Sequence, residues 1–141
     1  MEYWGVGNEM WAGGGTMTAA GYAAEYRKYA SAFPSFAKLG KKQEEQPKMY
    51  RIACGPDGNK PRERAEWTRE FFKELSRFRQ PILDGYDIHF YNWNIENPAQ
   101  KETEYGEEDW YRVIDGCREL EEVILEQYRL VREGLDSFRE A

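Results

Sequence analysis

The chain has 141 residues, 40% hydrophobic and 16% aromatic, enough for one domain with a sizeable core. Lys and Arg number 20 against 26 Asp and Glu, a net charge of −6. That balance disfavours nucleic acid or an anionic membrane as the main partner.

Tyr3–Gly7 reads as a short buried strand that stops abruptly at Asn8-Glu9. The run Gly13, Gly14, Gly15 then forms a loop, and Thr18 is placed to cap a helix. Tyr22, Tyr26, Tyr29 and Phe33 recur at helical spacing and predict one amphipathic face, ending near Pro34 or Leu39. Gly40–Pro47 is charged and reads as a solvated loop. Met49–Cys54 predicts a second strand, closed by the turn Gly55-Pro56-Asp57-Gly58. Trp67, Phe71, Leu75 and Phe78 mark the next helical stripe, with Pro81 as its stop. Tyr86–Tyr91 predicts a third strand, and a polar loop runs from Asn92 to about Gly106. Trp110, Val113, Cys117, Leu120, Ile124, Tyr128, Val131, Leu135 and Phe138 then continue at threes and fours.

Three strand-then-helix units in succession argue for an α/β fold with a parallel sheet and right-handed crossovers. The last stripe resembles a heptad seam, but it spans only about four heptads and Gly116 and Gly134 interrupt it. A helix packed on a sheet, with its following segment, is the better reading. Cys54 and Cys117 are far apart, in no metal-ligand spacing, and read as buried free thiols. The N-terminus has no basic region followed by an apolar run, and no apolar segment is long enough to span a bilayer. The compartment stays open, with the cytoplasm favoured.

Glu9 is the leading candidate for chemistry, since catalytic groups of barrel enzymes sit at strand ends of this kind. Gly5 and Gly7 leave space around the backbone, and Asn8 offers a donor and an acceptor to a hydroxyl beside the reacting centre. A general acid for glycoside cleavage works best in a low-polarity setting, and Trp11 can wall the site. His89 is ambiguous: a lone histidine in a strand is often a satisfied core residue. It shares one strand face with Asp87 and Tyr91.

The run Tyr-Trp-Gly-Val-Gly-Asn-Glu-Met-Trp-Ala-Gly-Gly-Gly, Tyr3–Gly15, resembles the acid/base motif of glycoside hydrolase family 51, the α-L-arabinofuranosidases. The similarity extends through Tyr26-Arg27-Lys28-Tyr29-Ala30, Ile52-Ala53-Cys54-Gly55-Pro56-Asp57-Gly58 and Asp84-Gly85-Tyr86-Asp87-Ile88-His89-Phe90-Tyr91. The resemblance implies that residues 1–141 are an internal piece of a (β/α)8 TIM barrel, about three consecutive βα units resembling units 4 to 6. A whole barrel needs about 250 residues. It implies Glu9 as the general acid/base and Asn8 as partner of the hydroxyl next to the anomeric carbon. His89 and Tyr91 would contact sugar and nucleophile, and Trp11 and Trp93 would line subsites.

The implied reaction is retaining hydrolysis of terminal arabinofuranosyl groups, with an arabinofuranosyl oligo- or polysaccharide as partner, and no metal or organic cofactor. It also implies a homo-oligomeric parent. Retention needs two carboxyl groups about 5–5.5 Å apart. In the family the nucleophile lies on the strand after the final helix seen here, and neither Glu96 nor Glu102 matches its motif. The isolated chain is therefore expected to be inactive. Two alternatives remain: another retaining barrel glycosidase of xylanase or β-glucanase type, and a stand-alone α/β chain that binds sugar or oligomerises.

Overall fold

The computed structural model describes residues 2–37, 49–78, 80, 82–92 and 103–138. Along them run β1 (Tyr3–Val6), α1 (Ala19–Ala37), β2 (Tyr50–Ala53), α2 (Pro61–Leu75), β3 (Gly85–Tyr86) and α3 (Glu107–Asp136). The strands form one parallel sheet in the order β1-β2-β3, with Val6 opposite Ala53 and Ala53 opposite Tyr86. Parallel neighbours need long crossovers, which α1 and α2 provide. The result is a mixed α/β fold with a small parallel sheet, consistent with part of an α/β barrel.

Local chemistry starts each helix. The Gly21 N–H donates to Thr18 Oγ1 at 3.1 Å, the cap expected from sequence. Pro61 opens α2, where its missing N–H costs nothing. At α3 the Gly106 N–H donates to the Asp109 carboxylate at 3.0 Å, and Glu107 and Glu108 add negative charge at the positive end of the helix dipole.

The core joins Tyr22, Ala23, Tyr26 and Ala30 of α1 to Trp67, Phe71, Phe72 and Leu75 of α2 over Val6, Ala53 and Cys54. The Tyr22 ring stacks 6.0 Å from Trp67 and 5.5 Å from Phe71. Its hydroxyl donates to the Val6 carbonyl at 2.5 Å and accepts the Cys54 N–H at 2.7 Å, joining the ends of β1 and β2. The Tyr26 hydroxyl donates to the Ile82 carbonyl at 2.7 Å, just ahead of β3. On the other side of α2, the Thr68 hydroxyl donates to Gln127 Oε1 at 2.5 Å and lies 3.1 Å from the Tyr86 hydroxyl. That node ties α2, α3 and β3 together.

Several expectations change. β1 is not buried: Tyr3, Trp4 and Gly5 are exposed and only Val6 is covered, because among the described residues β1 has a neighbour on one side only. β3 stops at Tyr86 rather than Tyr91. There the Asp87 carboxylate takes the Gly55 N–H at 2.5 Å, a side-chain bond that competes with the ladder. Pairing returns once, as a parallel bridge between Asp57 and His89. Tyr29 is exposed, since the face that packs is Tyr22, Ala23, Tyr26 and Ala30. The Phe33 side chain and Pro81 lie outside the described residues. α2 ends at Leu75, ahead of Pro81. Phe78 falls past that end, where the Arg27 guanidinium sits 3.8 Å over its ring.

α3 is one helix of 30 residues, with Gly116 and Gly134 inside it. Its buried residues are Gly116, Val123, Gln127 and Leu130, one position away from much of the predicted stripe. Trp110, Leu120, Ile124 and Tyr128 are exposed, whereas Val131, Leu135 and Phe138 of the stripe pack against the core as expected. α3 is thus apolar on two faces, and only one meets α2. Cys54 is a buried free thiol as expected, whereas Cys117 is exposed.

Tyr22→Phe keeps the ring and removes only the hydroxyl, so it isolates the bridge between the strand ends. It leaves the Val6 carbonyl and the Cys54 N–H without their buried partner. Each such group costs about 1–3 kcal/mol. The denaturation midpoint should fall accordingly with the slope unchanged, and a loss below about 0.5 kcal/mol would mean that the bridge does not hold the sheet.

Burial pushes the phenols of Tyr22, Tyr26 and Tyr86 well above their ordinary value of 10.0. The unfolded chain therefore releases these protons first, and stability is lost as pH rises above about 10. In an alkaline titration followed at 295 nm, these tyrosines should ionise only together with loss of circular dichroism. Smooth ionisation of all 10 tyrosines in the intact fold would contradict the burial.

Candidate active site

The site is built where β1 and β2 end. Past Val6 the chain turns at Gly7, with φ +110°, and then at Glu9, with φ +48°. A side chain in that left-handed region costs about 1–3 kcal/mol and persists only where its surroundings hold it. Here the Glu9 carbonyl accepts the N–H groups of Ala12 at 2.8 Å and Gly14 at 3.0 Å. The loop closes tightly, and a β-carbon at Gly14 would collide with the Asn8 carbonyl oxygen. Glycine at that position is thus required by packing against the Asn8-Glu9 backbone.

Glu9 meets His89. Its Oε1 lies 3.4 Å from His89 Nδ1, and His89 Nε2 lies 3.5 Å from Asp87 Oδ1. The ring is held between two carboxylates, and a neutral imidazole can donate to only one of them. The His89 main chain is fixed on both sides: its carbonyl accepts the Gly58 N–H at 2.6 Å and its N–H donates to Pro56 at 3.3 Å. Trp11 stands edge-on to the imidazole at 6.1 Å, and its indole N–H donates to the Gly55 carbonyl at 3.1 Å. A small cleft beside it is lined by Trp11, Asp57, Lys60, Glu63 and Trp67. Beneath, burial pushes the Cys54 thiol up, and its carbonyl accepts the Trp67 indole N–H at 3.5 Å.

Of the residues singled out from sequence, Glu9, Trp11 and His89 therefore come together. Asn8 is exposed next to them. Tyr91 is 53% exposed at the rim; its N–H donates to Asn59 Oδ1 at 2.8 Å and its carbonyl accepts from Asn59 Nδ2 at 2.5 Å. Trp93, Glu96 and Glu102 lie outside the described residues. Sequence reasoning missed Asp87 and Asn59 as parts of the site. Asp87 was within reach, since it shares the alternation of His89 and Tyr91. Asn59 had no such signal.

No protein-family model matches the chain. The intracellular exo-α-L-arabinofuranosidase of Bacteroides ovatus is 25% identical over 127 residues, covering 88% of this chain and 21% of that protein. The crystal structure of the GH51 arabinofuranosidase from Xanthomonas axonopodis pv. citri superposes with a TM-score of 0.70 at 25% identity, covering 94% of this chain and 24% of that one. The chain is thus a weak homologue of GH51 arabinofuranosidases over most of its own length, and it spans less than a quarter of either relative.

Strain at Glu9 gives a test of whether this position is kept for function. Glycine adopts φ +48° freely, so Glu9→Gly should leave stability unchanged or raise it by up to about 1 kcal/mol. A thermal melt showing a loss above about 1 kcal/mol would make Glu9 a structural residue.

Proposed function

We propose that residues 1–141 are part of the catalytic barrel of a retaining α-L-arabinofuranosidase, and that Glu9 is its acid/base. The observation that carries this reading is Glu9 itself: a strained glutamate at the carboxyl end of a parallel strand, its carboxylate against His89, in a homologue of GH51 enzymes. Strain held at a strand end is a common mark of a functional site.

In the proposed reaction Glu9 gives its proton to the glycosidic oxygen while a second carboxylate attacks the anomeric carbon. Glu9 then takes a proton from the water that releases the sugar. Asn8 bonds the neighbouring hydroxyl, His89 orients Glu9, and Trp11 and Tyr91 bound the sugar subsite. The second carboxylate and the remaining strands come from sequence beyond this chain. Three features support that division. Among the described residues β1 pairs on one side only, an apolar groove along Gly5, Gly7, Met10 and Tyr29 lies open, and α3 keeps an exposed apolar face. Further βα units would cover all three.

The test compares the longest open reading frame containing this sequence with the 141-residue chain on an aryl α-L-arabinofuranoside. The longer protein should turn over, and the short chain should not. In the longer protein Glu9→Gln should cost about 10²–10⁴-fold on a poor leaving group. The loss should be smaller on a good one, with azide restoring turnover. Equal, unrescued loss on both leaving groups would remove Glu9 from the role. Activity in the short chain, abolished by Glu9→Gln, would move the nucleophile to a carboxylate within it, with Asp87 the nearest across His89.

A further inference from the structure

Cys54, Asp87 and His89 converge just behind Glu9. The thiol sulfur, a carboxylate oxygen and an imidazole nitrogen all lie within 4.8 Å of one another. The three residues come from the ends of β2 and β3, so their spacing in sequence conceals the cluster. Each is held by its backbone. The Cys54 N–H is bonded by Tyr22 and its carbonyl by Trp67. Asp87 donates its N–H to the Ala53 carbonyl at 3.0 Å, and His89 is bonded at both its N–H and its carbonyl.

We propose that Cys54 Sγ, Asp87 Oδ1 and His89 Nε2 form a three-ligand site for a zinc-class divalent cation. The donor set selects the ion: thiolate and imidazole favour zinc over magnesium or calcium, and one carboxylate is compatible with it. Three protein ligands leave the fourth position open, as in exchangeable rather than closed structural zinc sites. A tetrahedral zinc needs donors about 3.4–3.7 Å apart. Asp87 Oδ1 and His89 Nε2 already stand at 3.5 Å. The second observation is Glu9. It faces the far ring nitrogen, Nδ1, and a carboxylate there is the usual orienting partner of a metal-bound histidine. On binding, the Zn–S bond forms, the S–H bond breaks and the proton leaves to solvent. The thiol gives up its 3.5 Å contact with the Gly55 carbonyl. This site does not depend on the glycosidase reading.

Cobalt(II) serves as the probe, titrated without oxygen into the 141-residue chain. The proposal expects one equivalent to bind with thiolate-to-cobalt charge transfer in the near ultraviolet, and one equivalent of zinc to displace it. Cys54→Ser should abolish the band and Cys117→Ser should keep it. Glu9→Gln should weaken binding by about tenfold, the effect of losing an orienting partner. No charge-transfer band in the wild type, a band that survives Cys54→Ser, or one lost with Cys117→Ser overturns the site. If Cys54→Ser fails to fold, His89→Gln carries the same demand, and wild-type affinity in that variant overturns it.

Discussion

One buried hydroxyl fixes where the site can form. At the carboxyl ends of β1 and β2 the chain leaves the ladder, and Val6 and Cys54 would each keep an unpaired backbone group in the core. Tyr22 answers both with a single oxygen, accepting from one strand and donating to the other. A buried polar group without a partner is costly, so the two strand ends stay in register only while this bridge stands. Gly7, Asn8 and Glu9 follow directly from one of these ends, and Gly55 and Pro56 from the other. The position of the Glu9 carboxylate therefore depends on a helix residue that never reaches the site.

The same economy recurs around it. Trp67 and Trp11 donate their indole N–H groups to the consecutive carbonyls of Cys54 and Gly55, just past the end of β2. Asp87 takes the Gly55 N–H and stands against His89 with the same oxygen. Backbone and site are satisfied by shared groups, which explains why β3 can be two residues long and still deliver His89. Rigid main chain around a strained Glu9 is what a pre-organised proton carrier requires.

Much of this was legible in the sequence. The order of strands and helices followed from the change in apolar period, and the Thr18 cap from residue type. Glu9, Trp11 and His89 stood out because the motif around Asn8-Glu9 and the run Asp84–Tyr91 resemble a known family. What was not legible depended on partners. β1 looked buried because its residues are apolar, yet burial needs a second neighbour that the described sheet does not supply. Tyr29 lies on a helical stripe but beyond the width of the α2 contact. On α3 the sequence marked an apolar stripe, of which only the last turns pack, while the packed face also runs through Gly134, where a β-carbon would collide with Phe72, and Gln127, which a polar bond to Thr68 makes acceptable in the core. Periodicity records apolar residues and cannot register either. Asp87 and Cys54 became neighbours only through strand pairing.

The central claim is a division of labour: Glu9 moves protons, and another carboxylate makes the covalent bond to sugar. Trapping the glycosyl-enzyme in the longest open reading frame with a 2-fluoro-arabinofuranosyl donor, followed by peptide mapping, tests it most directly. The account predicts one label per molecule, on a carboxylate outside residues 1–141, with Glu9 unmodified. A label on Glu9 or Asp87 would contradict it.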